Sequence, residues 1–111
     1  MVHGVERRGL VMTELRRRVE LHMRLQGLSP KTHTSYLHAM EGLAGYYNRS
    51  PADLSCNEVQ LFLDHLITDR GLAWSTVNVY FSAYRYLYEQ VMGLSRREFS
   101  IPGFFGVGLK V

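Results

Sequence analysis

Two short stretches of the chain combine hydroxyl, amide, imidazole and cationic side chains where a helix is predicted to begin. The first holds Lys31, Thr32, Ser35 and His38, and the second holds Ser75, Thr76, Asn78 and Arg85. Free backbone N–H groups and the positive end of the helix dipole favour phosphate at such positions. Lys31 and Arg85 add charge, whereas Asn78 and His38 can meet a base edge. The pattern predicts a nucleic-acid contact surface. Ordinary helix capping beside a solvated face is the simpler alternative.

Catalytic and metal-binding chemistry has weaker support. Five of the seven tyrosines fall at the spacing of a helical core, namely Tyr36, Tyr47, Tyr80, Tyr84 and Tyr88. A tyrosine nucleophile also needs positioned arginines and a general acid or base beside it. The five histidines include no pair four residues apart with a third ligand in prospect. We therefore expect no catalytic residue, no metal site and no cofactor.

Basic charge is concentrated in the first third of the chain. Residues 1–31 carry seven basic and three acidic side chains, whereas residues 32–111 carry six basic and seven acidic ones. Eleven of the thirteen basic residues are arginine, whose planar guanidinium pairs with phosphate in a bidentate fork. This balance favours a nucleic-acid partner and makes Arg16, Arg17 and Arg18 a competing contact site. A solvated helix face is again the alternative.

Length and composition are those of one globular domain, with 111 residues of which 46% are apolar. The single cysteine, Cys56, excludes an internal disulfide framework. The sequence shows no apolar run long enough to span a membrane and no secretory signal in its first residues. The expectation is a soluble, cytoplasmic protein with no membrane partner.

Apolar residues recur at helical spacing in four segments, near residues 13–26, 30–47, 56–70 and 75–92, and no segment alternates like a strand. Thr13 and Ser29 are predicted N-caps, with Pro30 in the first helical position after Ser29. Ser55 and Glu58 have the spacing of a capping box for the third helix. The predicted fold class is therefore all-α.

The chain also repeats itself with an offset of 44 residues. The aligned pairs are Gly27-Leu28 with Gly71-Leu72, Tyr36 with Tyr80, Ala39 with Ala83, Leu43 with Leu87, Leu15 with Val59, Val19 with Leu63 and Met23 with Ile67. Two matched helical hairpins imply a pseudo-symmetric domain in which the second and fourth helices occupy equivalent positions. The polar residues at the starts of these two helices are then expected to act together.

An ordered set of residues resembles a known family. The set is Leu25-Gln26-Gly27-Leu28-Ser29-Pro30-Lys31-Thr32, Tyr36, Ser50-Pro51, Ser75-Thr76-Val77-Asn78 and Ala83-Tyr84-Arg85-Tyr86-Leu87-Tyr88. Over about residues 12–93 the chain resembles the N-terminal SAM-like core-binding domain of tyrosine recombinases, also called phage-type integrases. The resemblance implies a four-helix SAM-like orthogonal bundle made of two repeated hairpins. It also implies one half of a C-shaped clamp on double-stranded DNA, with the second and fourth helices against the duplex.

The catalytic motifs of that family are not matched. Its full-length members carry arginines, a His-x-x-Arg motif and a nucleophilic tyrosine in a second, C-terminal domain. In this chain no histidine is followed three residues later by arginine. The resemblance therefore implies a DNA-binding module of DNA integration or site-specific recombination that is not an enzyme and has no small-molecule substrate. Other recombinase protomers are further expected partners. A small helical protein–protein interaction domain is the alternative.

The expected domain organisation has three parts: a flexible lead-in at residues 1–11, the core-binding domain at 12–93, and a linker remnant with an atypical tail at 94–111. The segment from Gly103 to Leu109 is apolar and glycine-rich, which suggests a truncated or frameshifted gene. The expected location is the cytoplasm, with nucleoid association when the protein is bound to DNA.

Overall fold

Four α-helices form the fold of the part of the chain that the structure describes. The computed structural model describes the backbone of residues 3–94 and the side chains of residues 14–94. Helix α1 spans His3–Leu25, α2 spans Pro30–Tyr47, α3 spans Cys56–Thr68 and α4 spans Trp74–Arg85. A 3-10 turn, Pro51–Asp53, precedes α3, and a π-helical turn, Tyr86–Val91, continues α4. Since no strand occurs within residues 3–94, the predicted all-α fold class is confirmed. Of the linker remnant and tail predicted at residues 94–111, residues 95–111 lie outside the described residues.

Local sequence explains where α2 and α3 begin. The Ser29 hydroxyl accepts a hydrogen bond from the Thr32 N–H at 3.2 Å, and Pro30 occupies the first turn of α2. At α3 the Ser55 hydroxyl accepts from the Glu58 N–H at 3.1 Å, and the Glu58 carboxylate accepts from the Ser55 N–H at 2.8 Å. Both predicted caps are confirmed. Helix α4 differs, because Ala73 occupies its N-cap and no side chain caps it.

Two predicted helix boundaries are wrong. Helix α1 begins at His3, so Thr13 lies inside the helix and does not cap it, and the helix overlaps the lead-in expected at residues 1–11. The fourth helix is not α-helical throughout, because it widens into the π turn after Arg85. There the Met92 N–H donates to the Leu87 carbonyl, five residues back, at 2.9 Å.

Two glycines in left-handed conformation redirect the chain at equivalent points of the repeat. Gly27 has φ 69° and Gly71 has φ 62°, a region that glycine enters without steric cost. After α1 the Gly27 N–H bonds to the Arg24 carbonyl and the Leu28 N–H bonds to the Met23 carbonyl, each at 3.1 Å. This pair of bonds is a Schellman motif. After α3 the Leu72 N–H bonds instead to the Leu66 carbonyl, six residues back, at 3.0 Å. The two exits therefore share a left-handed glycine and differ in their hydrogen bonds.

A single buried core joins the two hairpins, and burial follows the 44-residue offset. Fully buried residues related by the offset are Ala39 and Ala83, Met40 and Tyr84, and Leu43 and Leu87. In the preceding helices, Leu15, Val19, Val59 and Leu63 are also buried. One pair departs from the pattern, since Met23 is buried and Ile67 is half-buried. Among the described residues, none of the helices has the length and apolar character needed to cross a bilayer.

Candidate nucleic-acid interface

Helices α2 and α4 pack directly against each other. The Tyr84 hydroxyl on α4 donates a buried hydrogen bond to the Ala39 carbonyl on α2 at 2.8 Å. The rings of His38 on α2 and Tyr80 on α4 meet edge to face, with their centroids 6.3 Å apart. The two repeat-equivalent helices are therefore neighbours, as a joint contact surface requires.

The predicted contact residues on α2 differ in how accessible they are. Lys31 and His38 are exposed, whereas Ser35 is half-buried. Thr32 takes part in the helix cap, because its N–H donates to the Ser29 hydroxyl and its own hydroxyl accepts from that group at 3.0 Å. The backbone donor of Thr32 is thus already used, which makes it a weaker phosphate ligand than its sequence position predicts. Within residues 14–94 no ion pair joins Lys31 to an acid.

The predicted residues at the start of α4 are all exposed, namely Ser75, Thr76 and Asn78. Ser82 is exposed one turn after Asn78 on the same side of the helix. The N–H groups of Thr76 and Val77 both bond to the Ala73 carbonyl at 3.0 Å. The start of α4 therefore presents hydroxyl and amide side chains to solvent.

Arg85 lies where α4 meets α2. It lines an open cleft of about 200 Å³ together with Tyr36, Ser82, Tyr86, Glu89 and Gln90. The ring centroids of Tyr36 on α2 and Tyr86 in the π turn lie 5.6 Å apart. The Arg85 Nε is 3.6 Å from the Glu89 Oε2. Glu89 beside Arg85 was not predicted from the sequence, although its spacing of four residues is a signal that could have found it.

Burial raises the pKa of the Tyr86 hydroxyl, with a further contribution from Tyr36. That hydroxyl is buried and has no hydrogen-bond partner among the residues that the structure describes. The Tyr86 phenol is therefore neutral at physiological pH.

We define the α2–α4 face as the polar residues on the outer side of the two helices: Lys31, Thr34, Ser35, His38, Ser75, Asn78, Ser82 and Arg85. Residues 31–38 and 74–82 contain no acidic side chain. Contacts tie His38 to α4 and place Ser82 and Arg85 beside Tyr36 of α2. The face therefore combines two helices and carries cationic, hydroxyl and amide groups, which suit phosphate oxygens and base edges.

The competing site on α1 is largely engaged within the protein. Arg16 forms an ion pair with Glu41 of α2. Arg18 reaches across to the end of the fourth helix, where its Nη2 donates to the Val91 carbonyl at 3.0 Å. Arg17 is exposed and has no ion-pair partner among the described side chains. Of the three arginines, Arg16 is the one paired with acids, whereas Arg18 gives one N–H to a neutral carbonyl and keeps its positive charge, as Arg17 does.

Tyr84 and Tyr88 belong to the core, as their spacing predicts. Their hydroxyls donate to the carbonyls of Ala39 and Pro51 at 2.8 Å and 2.6 Å. Burial raises the pKa of both phenols, which disfavours the phenolate that a nucleophile would need. These tyrosines are hydrogen-bond donors that join the two hairpins.

A further cluster of titratable groups lies where α2 ends beside α3. The Nδ1 of His65 pairs with the Asp69 Oδ2 at 2.8 Å. The Tyr46 ring lies against the His65 ring, with centroids 4.8 Å apart and planes inclined by 33°. This is a contact between two tilted rings. Within the described part of the chain, no three histidine, cysteine or acidic side chains are grouped so that they could hold a metal ion.

Comparison with known proteins assigns most of the chain to one family. Residues 15–97 match the family described as the phage integrase N-terminal SAM-like domain. Comparison with curated proteins and with solved structures finds no match. The matched region contains α2, α3, α4 and every residue of the α2–α4 face. Because the match covers well over half of the chain, the protein belongs to the family of phage integrase N-terminal SAM-like domains.

Proposed function

We propose that this domain binds duplex DNA through the α2–α4 face, as the DNA-binding module of an integrase-type recombinase. The direct packing of α2 against α4 carries the proposal, because it aligns His38, Ser82 and Arg85 along one junction. Family membership supports DNA as the partner. The ion pairs that Arg16 forms with Glu20 and Glu41 reduce the charge that α1 can offer to DNA.

Different residues of the α2–α4 face would contact phosphate and bases. Lys31, which has no ion-pair partner within residues 14–94, contributes attraction to phosphate and releases counterions on binding. The hydroxyls of Ser35 and Ser75 donate to phosphate oxygens and position the domain. Asn78 and His38 reach base edges in the major groove. With so few charges, binding at physiological salt is expected at non-specific strength, about 10⁻⁴ to 10⁻⁶ M.

Fluorescence anisotropy with a labelled duplex, repeated over a salt series, tests this proposal. Lys31→Ala should reduce the slope of log K against log salt by about one unit. Arg17→Ala is the matched control, since it removes the same charge from an exposed position on α1, and it should change the slope little. If Arg17→Ala reduces the salt slope more than Lys31→Ala does, the contact surface lies on α1. If the wild-type protein does not bind the labelled duplex at any salt concentration, the proposal is refuted.

We also propose that the domain binds DNA without cutting it. The matched family is an N-terminal domain, and Tyr84 and Tyr88 are core residues whose phenols resist ionisation. Incubation with a nicked suicide duplex should leave no covalent protein–DNA complex on a denaturing gel. A covalent adduct would overturn this part of the proposal.

Exposed leucines on α1 favour a second candidate function, binding to another protein such as a further recombinase protomer. Leu21 and Leu25 are 47% and 77% exposed and lie one turn apart. Association through these side chains should respond weakly to salt, whereas phosphate contacts weaken by orders of magnitude between low and moderate salt. The same salt series therefore separates the two candidates. Leu25→Ser should weaken association with a protein and leave DNA binding unchanged.

A further inference from the structure

We infer that Arg85 reads a guanine base in the major groove and that Glu89 orients Arg85 for this contact. The inference rests on the proposed DNA-binding function and adds a base preference to it. The sequence predicts Arg85 as a source of charge for phosphate. The surroundings of its guanidinium favour a base edge instead.

The ion pair engages one side of the guanidinium. Glu89 Oε2 faces the Arg85 Nε at 3.6 Å. Both terminal nitrogens of Arg85, which carry four of the five N–H donors, have no ion-pair partner among residues 14–94. The Arg85 side chain is 41% exposed and that of Glu89 is 19% exposed. The acid is therefore less exposed than the arginine, whose side chain remains partly accessible to a partner.

The charge of the pair discriminates between phosphate and base. A phosphate beside Arg85 would also meet the Glu89 carboxylate, whose negative charge offsets the attraction. A base edge is neutral and does not suffer this repulsion. Two parallel N–H groups match the O6 and N7 acceptors of guanine, which is the commonest specific arginine contact in the major groove. Lys31, without an acid beside it, retains the phosphate role.

The position of Arg85 on α4 suits this role. Asn78, Ser82 and Arg85 follow one another at spacings of four and three residues, so they share one side of the helix. Arg85 stands at the edge of the cleft between α2 and the π turn. Glu89 restricts the positions open to the guanidinium, which reduces the conformational entropy lost when it binds a base.

Selection of duplexes from a random pool, followed by anisotropy on the selected duplex, tests the inference. The wild-type domain should enrich guanine at one position. Replacing that guanine by 7-deazaguanine, which lacks the N7 acceptor, should weaken wild-type binding about tenfold. Arg85→Ala removes the guanidinium fork, and it should bind the two duplexes equally. Glu89→Gln should bind every duplex more tightly, with a reduced guanine preference.

Lys31→Ala is the matched control, because it should weaken binding to both duplexes by the same factor. Wild-type binding that is indifferent to 7-deazaguanine, or a guanine preference that survives in Arg85→Ala, would overturn the inference and leave the proposed function standing. Failure of the wild-type domain to bind any duplex would overturn both. Circular dichroism of each variant establishes that it is folded before its binding is compared.

Discussion

Two tyrosines buried between the hairpins should make the domain sensitive to alkaline pH. Tyr84 is completely buried and Tyr88 is 1% exposed. Burial is the main cause that raises the pKa of both phenols above the ordinary value of 10.0. Each hydroxyl also donates a hydrogen bond to a backbone carbonyl, which the phenolate form could not make.

The sign of the effect follows from proton binding. Above pH 10.0 the phenols of the unfolded chain lose their protons, while the folded state retains them at Tyr84 and Tyr88. The folded state then binds more protons, so its stability falls as pH rises. The stabilisation is fully present below pH 10.0 and is lost between that value and the raised pKa values. Each phenol contributes a slope of roughly 1.4 kcal/mol per pH unit, and both together roughly 3 kcal/mol per pH unit.

Urea unfolding followed by circular dichroism between about pH 8 and pH 11 measures this slope. Tyr84→Phe and Tyr88→Phe should each cost about 0.5 to 1.5 kcal/mol at neutral pH, since the ring stays and one hydrogen bond is lost. The double variant should lose most of the alkaline slope. Tyr46→Phe is the control, because Tyr46 is 50% exposed. Equal slopes in the wild-type protein and the double variant would refute the reasoning.

Three further predictions concern the fold. Leu43→Ala and Leu87→Ala should each lower the free energy of unfolding by roughly 2 to 5 kcal/mol in urea titrations, because both side chains are fully buried. If either substitution lowers the free energy of unfolding by less than about 1 kcal/mol, the two leucines do not have equivalent roles in the core. Arg18→Met should cost about 1 kcal/mol and speed hydrogen exchange at the end of the fourth helix, since the Val91 carbonyl loses its charged donor. If hydrogen exchange at the end of the fourth helix is unchanged in this variant, the hydrogen bond from Arg18 to the Val91 carbonyl does not stabilise that end. The hydrogen bond from the Ser55 backbone is the main cause that holds the pKa of Glu58 below 4.5. The stabilisation is therefore present above pH 4.5 and lost as pH falls through that lowered pKa. Glu58→Gln should remove this acid dependence in thermal melts, and an unchanged dependence would contradict the assignment.

Features set by near neighbours in the chain could be predicted from the sequence. The caps at Ser29 and Ser55 depend on residues three positions away, and both are confirmed. The 44-residue repeat predicts matched burial because the same residue types recur on the same helix faces, as at Leu43 and Leu87. The start of α1 could not be found in this way. Residues 3–12 contain no proline, so nothing obliges the helix to begin at Thr13.

Features set by distant partners could not be predicted. Arg16 and Arg18 resemble free surface charges in the sequence, yet their partners Glu41 and Val91 lie 25 and 73 residues away. The π turn was not predicted either. It is defined by a shift of backbone hydrogen bonds, whereas the spacing of apolar residues in the fourth helix still fits an α-helix. The exposure of Lys31 and Asn78 was predictable from their helix faces.

Mapping of amide chemical shifts during titration with duplex DNA tests the central claim most directly, because it locates the contact surface without any substitution. Binding through the α2–α4 face predicts that the shifts concentrate at Lys31 to His38 and at Ser75 to Arg85, and that they diminish as salt is added. Amides near Arg17 and Leu25 on α1 should move little. Shifts concentrated on α1, or no shifts at any DNA concentration, would contradict the account.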